Sequence, residues 1–159
     1  MSETPTPLPR AMAELAADFH AVSVRERLQL LLELSDELPG LPDRYVGSLD
    51  TMERVDECQS PVFLAVEVAD DGDRTVSLFF DAPAEAPTTK GFAGILHESL
   101  DGLPAADLLD VPDDAPYRFG LAEAVSPLRM RGMIGMLSRI KRQVRLRSHT
   151  AAMATGRQE

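Results

Sequence analysis

The sequence predicts a single α+β domain in which a small antiparallel sheet is covered on one face by helices. Three observations lead there. Two β-prone runs, residues 61–68 and 75–81, flank the turn-rich Ala69-Asp70-Asp71-Gly72-Asp73-Arg74, the pattern of a hairpin. Segments with apolar residues at helical spacing lie on both sides of that hairpin. The 159 residues suit one domain, large enough to bury roughly two thirds of its unfolded surface without staples.

In chain order, residues 1–9 are Ser/Thr/Pro-rich and are expected to be disordered, with order beginning near Arg10. Met12, Leu15, Ala16 and Phe19 predict a short helix to about His20, itself expected as a solvated helix-end residue. Ser23-Val24-Arg25-Glu26 fits a capping box, so a second helix should follow, with Val24, Leu28, Leu31, Leu32 and Ser35 on its buried face. Leu38-Pro39-Gly40-Leu41-Pro42 ends it. Residues 43–53 should cross the surface with Tyr45 or Val46 tucked underneath, and residues 54–57 form a short charged edge strand. The acidic hairpin turn lacks the ligand ladder of a calcium loop and reads as solvated.

Beyond the hairpin, residues 82–87 form a loop, and Thr88 or Thr89 should cap a helix over 90–100 with Phe92, Ile95, Leu96 and Leu100 buried and His97 exposed. Pro104 suits the first position of another short helix. Residues 117–124 read as a helical piece, and Ser126-Pro127 opens the last and longest helix. Its apolar stripe is Met130, Met133, Ile134, Leu137, Ile140 and Val144. Gly132 and Gly135 cost that helix roughly 1 kcal/mol each against Ala, which predicts close approach of another backbone. The domain is taken as 10–147, with a disordered tail over 148–159.

Composition narrows the function. The single Cys excludes an internal disulfide, and His20, His97 and His149 are too scattered for metal spacing. No apolar run approaches the roughly 18 to 20 residues that span a membrane, and no basic-then-apolar leader opens the chain, so a cytoplasmic protein is expected. A net charge of -10 argues against general nucleic-acid binding. Yet residues 127–147 hold Arg129, Arg131, Arg139, Lys141, Arg142, Arg145 and Arg147 and no acid. Cations late in a helix complement its dipole, whereas Arg129 and Arg131 sit in the first turn, where the dipole disfavours them. Such charge often answers a nearby anion.

The candidate site is Cys58, placed where the polar Arg54-Val55-Asp56-Glu57 gives way to the apolar Val62-Phe63-Leu64-Ala65-Val66. Free cysteine is usually a buried, inert small hydrophobe. Asp56 and Glu57 disfavour a thiolate, so any activating cation must come from elsewhere in the chain.

The string Cys58-Gln59-Ser60-Pro61-Val62-Phe63-Leu64 resembles the Cys-Gln-Ser-x-Val-aromatic-aliphatic signature of the SufE family of sulfur acceptors. Three further blocks agree in order: Glu33 to Pro39; Glu85 to Gly91 with its Lys90-Gly91 step; and Gly120-Leu121 followed by Ser126-Pro127-Leu128-Arg129-Met130-Arg131-Gly132-Met133. The similarity covers about residues 23 to 145. It implies a SufE/IscU-like fold with a three-stranded sheet, and a Cys58 that receives persulfide sulfur from a SufS-type, pyridoxal-phosphate cysteine desulfurase and passes it to an iron–sulfur scaffold. It implies no cofactor held by this chain and no turnover of its own, but stimulation of the desulfurase. Gln59, Ser60, Glu85, Lys90 and Arg129 are implied as loop or partner contacts. Arg129, with Lys90, is expected to approach the cysteine loop and offset Asp56 and Glu57. The resemblance also implies that the loop is shielded at rest and moves outward.

Glu57 departs from the glycine usual before the family's cysteine, and glutamate strongly prefers negative φ, so the turn is expected to differ in shape. Phe63 replaces the frequent tryptophan. Two other classes compete with this reading: an enzyme using Cys58 directly, either a peroxide reductase or a cysteine hydrolase whose base would have to be His97 on an exposed helix face, and a non-catalytic interaction module with an inert Cys58.

Overall fold

The structure, a computed structural model, describes residues 6–156, with side chains to residue 148. The disorder expected at residues 1–5 and 157–159 falls outside the described residues. Among the described residues, five α-helices accompany one antiparallel sheet: α1 Arg10–His20, α2 Val24–Glu37, β1 Glu53–Arg54, β2 Phe63–Val68, β3 Val76–Asp81, α3 Pro87–Leu100, α4 Ala105–Leu109 and α5 Pro127–Gly156. The strand order is β1-β2-β3, the three-stranded antiparallel arrangement implied by the resemblance.

The β2–β3 register runs from Phe63 opposite Asp81 to Val68 opposite Val76. Alternation along the pleat turns Leu64, Val66, Val76, Leu78 and Phe80 inward, where α3 and α5 cover them. On the other face Tyr45 lies against Phe79, with ring centroids 5.1 Å apart, and its hydroxyl donates to Glu67. Arg44 stacks over both rings and pairs with Glu67. Tyr45, rather than the exposed Val46, therefore anchors the crossing segment.

The capping box on α2 is formed: Ser23 Oγ accepts from the Glu26 amide at 3.2 Å, and the Glu26 carboxylate accepts from the Ser23 amide at 3.4 Å. The buried face of α2 is turned from the expected one. Leu31 and Ser35 face inward with Arg27 and Leu34, while Val24, Leu28 and Leu32 stay more than a third exposed. The cause lies on α3, where Gly91 admits α2 so closely that a Cβ there would stand 2.5 Å from the Leu31 carbonyl oxygen. Leucines occupy most of the circumference of α2, so the neighbour selects the face.

Several boundaries move for identifiable reasons. Helix α3 begins at Pro87, whose fixed φ suits a first turn, so Thr88 and Thr89 lie inside the helix and no side chain caps it. Pro104 is the N-cap of α4 instead of its first residue. The piece expected over 117–124 is two 3-10 turns, Ala115–Phe119 and Leu121–Glu123, separated by Gly120 at φ 68°. Helix α5 continues past residue 147 to Gly156, because no proline or other breaker interrupts it. His20 is not merely solvated: its Nε2 lies 2.8 Å from the Arg118 carbonyl oxygen. Among the described residues, no helix is long and apolar enough to cross a membrane.

Candidate functional site

Cys58 lies in the connection from β1 to β2. The Val55 amide donates to the Val62 carbonyl at 2.9 Å, prolonging the ladder and closing the base of the loop. Val55 and Val62 are both fully buried, which anchors that base. Within it the Cys58 amide donates to the Val55 carbonyl at 3.1 Å, and this turn swings the thiol onto α5.

Two glycines make room there. A Cβ on Gly132 would stand 3.0 Å from Cys58 Sγ, and one on Gly135 would stand 2.5 Å from a Glu57 carboxylate oxygen. Three residues apart on a helix, they share a face, so the pair forms a shallow seat for the loop. Cys58 is only 8% exposed on it. The expected close approach of another backbone is corrected here: what lies nearest these glycines is the thiol of one residue and the carboxylate of the residue before it.

One side chain holds the acids of the loop. Arg139 Nη2 donates to Glu57 Oε1 at 2.7 Å and Nε to the same oxygen at 3.0 Å, while Nη1 donates to Glu53 Oε2 at 2.6 Å. The Asp56 carboxylate lies 3.7 Å from the same guanidinium. Gln143 donates to Glu53 at 2.6 Å, and Arg142 also pairs with Glu53. The hydrogen bonds from Arg139 hold the Glu57 carboxyl below the usual carboxylate range. Burial pushes Glu53 upward, but Gln143, Arg139 and Arg142 outweigh it and leave that carboxyl depressed too.

Cys58 shows the opposite balance. Burial, then the charge of Glu57, push its thiol up to about 11 against the opposing pull of Arg139. At neutral pH the shielded thiol is therefore protonated. Glu57 does not adopt the positive φ that a glycine would permit; among the described non-glycine residues, that conformation belongs to Arg74. The substitution instead gives the turn a carboxylate that reaches α5.

The sequence expectation for the compensating cation is corrected accordingly. It is Arg139 that meets Asp56 and Glu57, whereas Arg129 is exposed and, among the described residues, forms no ion pair. Ser126 Oγ accepts from the Arg129 amide at 3.3 Å, so the start of α5 is capped as expected. Arg129 precedes Gly132 by one helical turn and so flanks the loop on the surface. The registers Arg54 opposite Phe63 and Phe63 opposite Asp81 bring the cysteine loop and the segment after β3 to the same end of the sheet. That segment carries the exposed Glu85 and leads to the half-buried Lys90 in the first turn of α3. Gln59 is exposed and Ser60 half-buried within the loop itself.

Arg139 was hidden among seven cations, but its spacing was a signal. It follows Gly135 by four residues and Gly132 by seven, and so lies on the same helical face as both. Lys141 is spent elsewhere, donating to the Val111 carbonyl at 2.6 Å and to Asp113 at 2.8 Å.

His97, the base required by a cysteine hydrolase, is half-buried instead of exposed and lines a groove of about 320 Å³ with Leu34, Pro39, Gly94 and Asp101. Its ring stands 3.8 Å from Asp101, and the groove includes no residue of the cysteine loop. Among the described residues, no group of three or more His, Cys, Asp or Glu side chains could hold a metal ion.

A family profile described as "SufE: Fe-S metabolism associated domain" matches residues 13–144. An uncharacterized SufE-like protein of Mycobacterium tuberculosis is 52% identical over 141 residues, covering 89% of this chain and 96% of that protein. The SufE-like protein 1, chloroplastic/mitochondrial, of Arabidopsis thaliana is 30% identical over 90 residues, which are 57% of this chain and 23% of that one. The solution structure of a hypothetical protein from Thermus thermophilus superposes with a TM-score of 0.77 at 36% identity, covering 90% of this chain and 99% of that chain.

Proposed function

Because the chain belongs to the SufE family and so to Fe–S metabolism, we propose that Cys58 is a sulfur acceptor which takes persulfide sulfur from a cysteine desulfurase and hands it to iron–sulfur cluster assembly. The observation that carries this reading is the position of the chain's one cysteine: at a loop tip, seated on two helix glycines, with its thiol held protonated by burial. A thiol so placed does no chemistry at rest and can be protected after loading.

The transfer is a thiol exchange. With the loop turned outward, the Cys58 thiolate attacks the outer sulfur of a cysteine persulfide on the desulfurase. A sulfur–sulfur bond forms to Cys58, the bond to the donor cysteine breaks, and that cysteine leaves as a thiolate. Cys58 then holds the persulfide. The pyridoxal-phosphate chemistry belongs to the desulfurase; this chain contributes the nucleophile and its shelter. Desolvation opposes the thiolate in the seat, so outward movement also lowers the cost of ionisation.

Gln59, Ser60, Glu85, Lys90 and Arg129 serve as loop or partner contacts in this reading. Their support is position: Glu85 follows the end of β3 beside the loop, and Arg129, without an ion pair among the described residues, stands one turn from the seat. Arg129 then answers an anion on the desulfurase instead of one on this chain.

Intact mass of the reduced protein, after incubation with free cysteine and a SufS-type desulfurase, tests the proposal. A reductant-sensitive gain of one sulfur atom, absent in Cys58→Ser, is expected. Absence of that gain with several desulfurases would reject the acceptor role and return Cys58 to an inert residue.

A further inference from the structure

We infer that the ion pair between Glu57 and Arg139 is a latch that sets how often the Cys58 loop opens, with Arg139 acting as a positioning residue for the thiol. The division of contacts around the loop carries this. Its base is fixed by the Val55–Val62 backbone bond and two buried valines, and Glu53 keeps Arg142 and Gln143 even if Arg139 lets go. Its tip has far less. Gln59 and Ser60 make no hydrogen bond among the described residues, and Cys58 has one, from its amide to Val55.

The strongest tie from the tip to the body of the protein is therefore the two-donor contact of Arg139 with the residue next to Cys58. Gly135 is what lets that carboxylate lie against α5. Both partners are partly exposed, with side-chain accessibilities of 36% for Glu57 and 23% for Arg139, so a competing charge can reach them. A partner surface that offers a carboxylate to Arg139, or a cation to Glu57, would release the tip while the sheet stays paired. This last step rests on the acceptor role proposed above; the latch itself does not.

Charge effects on the thiol must be separated from loop opening. Arg139 favours the Cys58 thiolate and Glu57 opposes it. Simple charge tuning therefore moves Arg139→Gln and Glu57→Gln in opposite directions, whereas loss of a latch moves them in the same direction.

The experiment uses the reduced full chain with no desulfurase, so its result is independent of whether sulfur is ever accepted. Hydrogen exchange of the Cys58 and Val55 amides and the rate of iodoacetamide alkylation are measured in wild type, Glu57→Gln, Arg139→Gln, the double variant and Gly135→Ala. The expected result is that all four variants speed Cys58 amide exchange and alkylation by roughly threefold to tenfold, the range for a two-donor but partly exposed carboxylate–guanidinium pair. The double variant should exceed either single one by little. Val55 exchange should stay at the wild-type rate, because the base of the loop does not open. Gly135→Ala improves helix propensity while displacing the carboxylate, so it covers the case in which Arg139→Gln folds poorly. Unchanged Cys58 exchange in the variants, opposite shifts in the two single variants, or acceleration of Val55 together with Cys58 would each overturn the latch.

Discussion

A methyl group added at Gly132 would stand 3.0 Å from Cys58 Sγ. The missing side chain at position 132 is thus part of the thiol's resting place. Gly132→Ala should gain roughly 1 kcal/mol of helix propensity and lose a comparable amount to crowding, leaving the urea midpoint nearly unchanged. Cys58 should nevertheless be alkylated faster, because its seat is filled. An unaltered alkylation rate would show that the seat does not hold the thiol.

Titration of the thiolate absorbance should give Cys58 a value near 11 instead of the ordinary 9.0. Since the folded value is raised, the stability it contributes is intact below 9.0 and is lost as the pH rises through about 11. The stability difference between wild type and Cys58→Ala should therefore shrink across that window. A thiol titrating at or below 9.0 would contradict the shielded position.

The acid side of the profile belongs to Glu57 and Glu53, whose folded carboxyls are depressed from the ordinary 4.5. Their contribution is present above that value and lost as the pH falls through the lower folded ones. Carboxyl-carbon resonances followed by NMR should show Glu57 titrating below 4.5, with the Arg139 Nε proton resonance shifting in parallel. A Glu57 midpoint at or above 4.5 would mean that the pair does not persist in solution.

Arg27 is a strut remote from this chemistry. Buried in α2, it donates to the Phe19 carbonyl at 2.9 Å, the Gly120 carbonyl at 3.0 Å and Glu123 at 2.9 Å. Arg27→Met would strand two carbonyls that are otherwise satisfied, so a loss of roughly 2 to 4 kcal/mol in urea unfolding is expected. Alkylation of Cys58 under native conditions should be unaffected; a faster rate would tie the strut to the loop.

What could be read from the sequence was local. The Ser23/Glu26 box, the hairpin over the Asp70–Asp73 turn and the Ser126-Pro127 start each depend on neighbours within a few residues, and each is present. The inward face of α2 was not local. With Leu28, Leu30, Leu31, Leu32 and Leu34 crowding the helix, periodicity allowed more than one stripe, and Gly91 on α3 settled the matter from outside. Arg129 was singled out by a dipole argument that considers one helix alone; the cation beside Glu57 was decided by how α5 docks on the loop. The glycine spacing pointed to that docking face, and Arg139 continues it. Cys58 itself was legible because its motif is contiguous in sequence.

The latch joins residues separated by 82 positions, with the acid made first and the guanidinium long after. At about 5 to 20 residues per second, the ribosome needs roughly 4 to 16 s to cover that interval. Until α5 follows, the new chain has neither the glycine seat nor Arg139, and its one thiol is open to any oxidant or stray persulfide. Shelter for Cys58 is thus acquired only once α5 has been made and has docked on the loop.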